Sequence, residues 1–203
     1  RLPDDSSYSI RERVGNDSWS GIVRTYEILP LFGASYRLNG QSMSITYANP
    51  GSDPVTMEVE VPEVIFRGSV PAGATGLDPY IAGRSLELSL SVEGEVDDLE
   101  AGDALVLNYF AELEGLPAIF LPPLAPALSF DGVSIYADTP SLDDGTIARR
   151  SEKLTLVFDA GGEFVVPDLT LAFWNTATET IDSAMVEGFA ISVAGPAVVS
   201  LND

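Results

Sequence analysis

Apolar and polar side chains alternate with a period of two in segment after segment of this chain, and no apolar stripe of period 3.6 competes with them. Met43, Ile45 and Tyr47 alternate with Ser42, Ser44 and Thr46, and Val55, Met57, Val59 and Val61 alternate with Thr56, Glu58 and Glu60. The pattern returns at Leu86, Leu88, Leu90 and Val92, at Leu154, Leu156 and Phe158, at Leu169, Leu171 and Phe173, and at Phe189, Ile191 and Val193. Successive side chains of a strand point to opposite faces, so each run reads as a half-buried strand. Asn49-Pro50-Gly51, Ala101-Gly102-Asp103, Asp131-Gly132, Asp143-Asp144-Gly145 and Gly161-Gly162 supply turns between them. Short strands at this spacing predict an all-β protein made of tandem immunoglobulin-like β-sandwiches. Leu88, Leu90, Leu107, Leu154, Leu156, Leu171, Phe173 and Ile191 are in phase to share one core.

Between the alternating runs, the stretch around Pro71, Gly73, Gly76, Pro79 and Gly83 has little alternation, which places a linker at 68–78. Two domains follow, 1–67 and 79–203. The first is short for a sandwich of about 100 residues, so it is expected to be truncated, with its opening strands ahead of Arg1. A faint repeat supports the division. At an offset of 128, Tyr26 and Ile28 fall on Leu154 and Leu156, Gly33 on Gly161, Tyr36 on Phe164, Leu38 on Val166, and Met43 and Ile45 on Leu171 and Phe173.

Composition then narrows the function. The 203 residues include no cysteine and no histidine, which removes disulfides, Ser-His and Cys-His catalysis and the usual transition-metal ligands. No cofactor or metal is expected, and no catalytic constellation, phosphate loop or nucleophile elbow is present. The net charge is −21, and residues 71–203 alone carry 22 acids against four bases. Such a surface repels phosphate backbones and anionic lipid headgroups, so neither nucleic acid nor a membrane surface is an expected partner. No apolar run approaches the roughly 18 residues of a membrane span. The longest, 116–128, is broken by Pro117, Pro122, Pro123 and Pro126. The start at Arg1, without Met or a signal-like segment, points to a processed or excised product.

Several groups are candidates for chemistry or binding. Glu93, Glu95, Asp97, Asp98, Glu100 and Asp103 form a dense acidic run without the spacing of a calcium loop, and read as a solvated hairpin. Asp143-Asp144-Gly145 reads as a turn and not as a metal site. Trp174 follows Phe173 and faces away from Leu169 and Leu171 in a regular strand, so it is either an exposed anchor or a core residue displaced by a bulge or a turn. Trp19 carries the same ambiguity. The apolar segment Gly115-Leu116-Pro117-Ala118-Ile119-Phe120-Leu121-Pro122-Pro123-Leu124 is either a strand crossing between sheets or a docking ridge.

Around that segment the chain resembles the oxygen-tolerance, or BatD-type, family of bacterial envelope proteins. The resemblance rests on Glu114-Gly115-Leu116-Pro117 through Leu121-Pro122-Pro123-Leu124, Val133-Ser134-Ile135-Tyr136-Ala137-Asp138-Thr139-Pro140, Arg149-Arg150-Ser151-Glu152, Gly162-Glu163-Phe164-Val165-Val166-Pro167 and Ala172-Phe173-Trp174-Asn175. Arg24-Thr25-Tyr26, Leu29-Pro30, Gly33 and Tyr36 resemble part of a preceding domain of such proteins. The resemblance implies a periplasmic or extracytoplasmic, membrane-anchored protein with its transmembrane helix outside this sequence. It implies work beside von Willebrand A domain membrane proteins and, indirectly, a MoxR-type ATPase, in aerotolerance or envelope stress. The expected function is therefore a non-enzymatic protein-interaction module, with Trp174, Asp143 and Asp144 as binding residues. The alternative is a carbohydrate-binding or adhesive β-sandwich, which would present a coplanar row of exposed aromatics.

Overall fold

The computed structural model describes residues 7–26, 28–30, 33–48 and 51–196. Of the expected turn Asn49-Pro50-Gly51 only Gly51 lies among them, and residues 1–6 and 197–203 of the two expected domains lie outside. The protein is all-β: its only helices among the described residues are two 3₁₀ turns, Ala72–Ala74 and Ala118–Phe120. The chain divides into two compact units, Arg1–Val70 and Pro71–Asp203. The division falls inside the expected linker, but residues from Pro71 onward pack into the second unit, where Ala74 is fully buried.

Among its described residues the first unit has six strands in three antiparallel pairs. β1 (Ser7–Val14) pairs with β2 (Asp17–Arg24), β3 (Ser35–Leu38) with β6 (Val64–Arg67), and β4 (Gln41–Tyr47) with β5 (Val55–Val61). Tyr36 stacks on Phe66 across β3 and β6 at 5.3 Å between ring centroids, and the Thr46 and Thr56 hydroxyls hydrogen-bond across β4 and β5.

The second unit is a sandwich of two sheets. Its strands are β7 (Ala82–Glu93), β8 (Leu99–Glu100), β9 (Ala104–Gly115), β10 (Val133–Ala137), β11 (Ser141–Asp144), β12 (Ala148–Phe158), β13 (Gly162–Val166), β14 (Leu169–Asn175), β15 (Thr180–Val186) and β16 (Phe189–Ala194). One sheet runs β10-β12-β9-β7-β14-β15, with β11 continuing the β10 edge of β12; the other runs β13-β16-β8. Both sheets turn their apolar faces into one core. Leu105, Leu107, Leu113, Leu154, Leu156 and Phe173 enter it from the first sheet, and Leu99, Phe164, Val166 and Ile191 from the second. Of the expected core, Leu107, Leu154, Leu156, Phe173 and Ile191 are buried, and Leu88, Leu90 and Leu171 pack against them partly buried.

The proline-rich segment 116–128 is neither a crossing strand nor a ridge. It is a strap over the end of the sandwich, made of the Ala118–Phe120 turn and extended chain. Ala118, Leu121 and Leu124 are buried while Ile119 is exposed. That three-residue spacing suits the three residues per turn of 3₁₀ and polyproline geometry, which present the same side at every third position. Proline removes ladder donors, so side chains elsewhere must tie the strap down. Arg150 Nη1 donates to the Leu121 carbonyl at 3.0 Å, the Ala125 N–H donates to Glu152 Oε2 at 2.9 Å, and the Ala118 N–H donates to Asp144 Oδ1 at 2.6 Å.

Candidate functional site

Because one face of the seven-stranded sheet is spent on the core, its other face is where short polar side chains belong. The antiparallel registers lay that face out in rungs. Ser89 lies opposite Phe110, Phe110 opposite Ser151, and Ser151 opposite Ser141. The adjacent rung runs Glu87, Glu112, Arg149, Asp143. Phe110 is therefore an aromatic ring standing among serines too short to cover it, and it remains 40% exposed. A shallow groove of about 480 Å³ surrounds it, lined by Glu87, Ser89, Phe110, Glu112, Asp143 and Arg149 with their neighbours.

The groove is acidic. Arg149 Nε donates to Glu112 Oε1 at 2.6 Å, and its Nη1 lies 3.9 Å from Asp143 Oδ2. The hydrogen bond and field of Glu112, aided by Asp143, hold the Arg149 guanidinium above its ordinary pKa. Glu87 has no ion pair among the described residues. An aromatic anchor ringed by carboxylates suits a cationic or amphipathic segment, by burial of the ring and complementarity of charge.

The expected binding residues are separated by the fold. Trp174 is buried, at 8% exposure, and the exposed-anchor reading is corrected. Its strand is regular, and the side facing away from Phe173 is closed by the 3₁₀ turn Ala72–Ala74. A Cβ at Gly73 would come within 2.9 Å of Trp174 Cζ3, so the absence of a side chain there is what admits the indole. Asp143 and Asp144 end the edge strand β11 and do not sit in the turn, which occupies 145–147. Strand alternation sends them apart: Asp143 faces the groove, while Asp144 caps the strap through the Ala118 N–H. The acidic run is not a simple hairpin, because Leu99–Glu100 crosses to the other sheet as β8 with Leu99 buried; within it the Glu93 carboxylate accepts from Asn108 and Asp103 Oδ2 accepts from the Glu100 N–H. Trp19 is exposed on the β1-β2 hairpin of the first unit.

Sequence reasoning passed over Phe110. Its signal was there, as the one large apolar residue in outward phase between the inward Tyr109 and Ala111, but only the cross-strand registers show that its neighbours are serines.

Fold and groove together define a β-sandwich protein with an acidic, aromatic-centred sheet face. No family model matches the chain, and no curated protein or solved structure matches it either.

Proposed function

We propose that the chain is a non-enzymatic protein-interaction module of a membrane-anchored bacterial envelope protein of BatD type, built of immunoglobulin-like domains. Its second unit docks a partner through the outer face of the seven-stranded sheet. The observation that carries this reading is Phe110, an exposed ring in a groove where Glu87, Glu112 and Asp143 outnumber the exposed cation Arg149. Desolvated aromatic anchors dominate interface energetics, and the excess of acids over bases in residues 71–203 steers a basic partner toward them.

The motifs that carry the resemblance support the architecture and not the contact surface. Arg150 and Glu152 of one motif hold Leu121 and Ala125 at the other, so their joint occurrence reflects a strap and its anchors. With a von Willebrand A domain as partner, Asp143 is the carboxylate offered to that domain's metal, since Asp144 accepts the short hydrogen bond of the Ala118 N–H while Asp143 has, among the described residues, only the 3.9 Å contact of Arg149.

The test is association of the protein with a purified von Willebrand A domain of a membrane protein from the same organism, measured at low and high salt. Phe110→Ala is expected to weaken binding by about tenfold or more, and Glu87→Gln with Asp143→Asn to slow association mainly at low salt. Undiminished binding by Phe110→Ala would overturn the groove as the docking site. Glycan binding in place of protein would favour the carbohydrate-binding alternative.

A further inference from the structure

The two units share a four-strand register. β3, β4, β5 and β6 of the first unit follow one another with the same connections as β13, β14, β15 and β16 of the second, except that the segment 48–54 is three residues longer than 176–179. Residues therefore correspond at an offset of 128 before that hairpin loop and 125 after it. Every cross-strand pair then maps onto its counterpart: Tyr36 opposite Phe66 onto Phe164 opposite Ile191, Leu38 opposite Val64 onto Val166 opposite Phe189, and Met43 opposite Val59 onto Leu171 opposite Ala184. A shared rhythm of alternating residues does not require identical two-residue connections and identical pairing across four strands.

The same positions differ in burial. Val166 is 1% exposed and its counterpart Leu38 43%; Phe173 is 5% exposed and Ile45 38%. Leu154 and Leu156 are buried in β12, where β9 pairs with them at Leu107 and Leu105. Their counterparts Tyr26 and Ile28 are exposed and belong to no strand. In the second unit the covering layer is β7 and β9. β7 also pairs in parallel with the edge of β14, where the Trp174 N–H donates to the Ile81 carbonyl and the Thr176 N–H to the Gly83 carbonyl. The corresponding edge of β4, at Thr46 and Ala48, has no strand beside it among the described residues.

We infer that the first unit is the C-terminal half of a second copy of the same domain, and that its apolar face is covered by a pair of alternating apolar strands, counterparts of β7 and β9, carried by polypeptide N-terminal to β1. The N-terminal placement follows from element order, since β7 and β9 precede β12 in the second unit. The incoming strand runs parallel to β4 and accepts hydrogen bonds from Thr46 and Ala48, as Ile81 and Gly83 do from Trp174 and Thr176. Its partner strand packs on Leu38, Ile45 and Phe66. This inference stands apart from the docking role of Phe110.

Hydrogen exchange on the gene product at its natural length, beside the 203-residue chain at two concentrations, tests it. In the natural-length product the amides of Thr46 and Ala48 are expected to gain protection on the order of a hundredfold over the 203-residue chain. Ile45→Asp in that product is expected to abolish the gain across β3 to β6 while β9 and β12 stay protected. Equal exchange in the two chains, a natural product with no strands N-terminal to β1, or an unaffected Ile45→Asp variant would overturn the inference. Protection that rises with concentration in the 203-residue chain would assign the face to a second copy instead, and so would also overturn it.

Discussion

Arg150 Nε donates to Glu152 Oε1 at 2.6 Å, and each member of this nearly buried pair holds a different part of the same strap. Two residues apart on β12, they point to the same face, inward, where charge is admitted only if it is paired and hydrogen-bonded. The Leu121 carbonyl and the Ala125 N–H supply the remaining partners.

Removing either member leaves the other as an uncompensated buried charge. Glu152→Ala is expected to lower unfolding stability by about 3–5 kcal/mol, read as the shift of the urea midpoint. Loss of under about 1 kcal/mol would mean that water replaces the carboxylate at no great penalty and that the strap holds without it.

Gly73 and Trp174 make a second test. Gly73→Ala places a methyl group against the indole and is expected to lower stability by about 1–3 kcal/mol through overpacking. In a Trp19→Phe background the tryptophan emission should move to longer wavelength as the ring is displaced. An unshifted spectrum with unchanged stability would show that the turn yields and the ring does not.

Tyr109 is fully buried and its hydroxyl has no hydrogen-bond partner among the described residues. Burial pushes its pKa up to about 12, against about 10 in an unfolded chain. Below pH 10 the phenol is neutral in both states and stability is unaffected. Above pH 10 the unfolded state ionises first, so stability falls as pH rises toward 12, by about 1.4 kcal/mol per unit. Tyr80, also raised by burial, contributes in the same direction, so the wild type is compared with Tyr109→Phe. The variant should equal or exceed the wild type at pH 7, having no orphaned hydroxyl, and should lose less stability in alkali. A variant clearly less stable at pH 7 would show that the hydroxyl is satisfied in solution.

Alternation along the chain was enough to determine that the protein is all-β and which residues of β7, β12 and β14 face inward; it gave only a faint correspondence of Tyr36 with Phe164 and Ile45 with Phe173, which the strand registers share. These are properties of period two, a local backbone constraint that any strand obeys wherever it lies. The fate of particular outward residues was settled only by tertiary structure. Trp174 and Phe110 are both large aromatics in outward phase. One is buried because a turn about a hundred residues away in sequence offers Gly73 to it; the other is exposed because serines flank it across the sheet. Asp143 and Asp144 are chemically alike, yet one lines a groove and the other caps a strap, since neighbours on a strand face opposite ways. Exposure is a property of what packs against a residue, and those partners come from distant parts of the chain whose pairing no local pattern specifies.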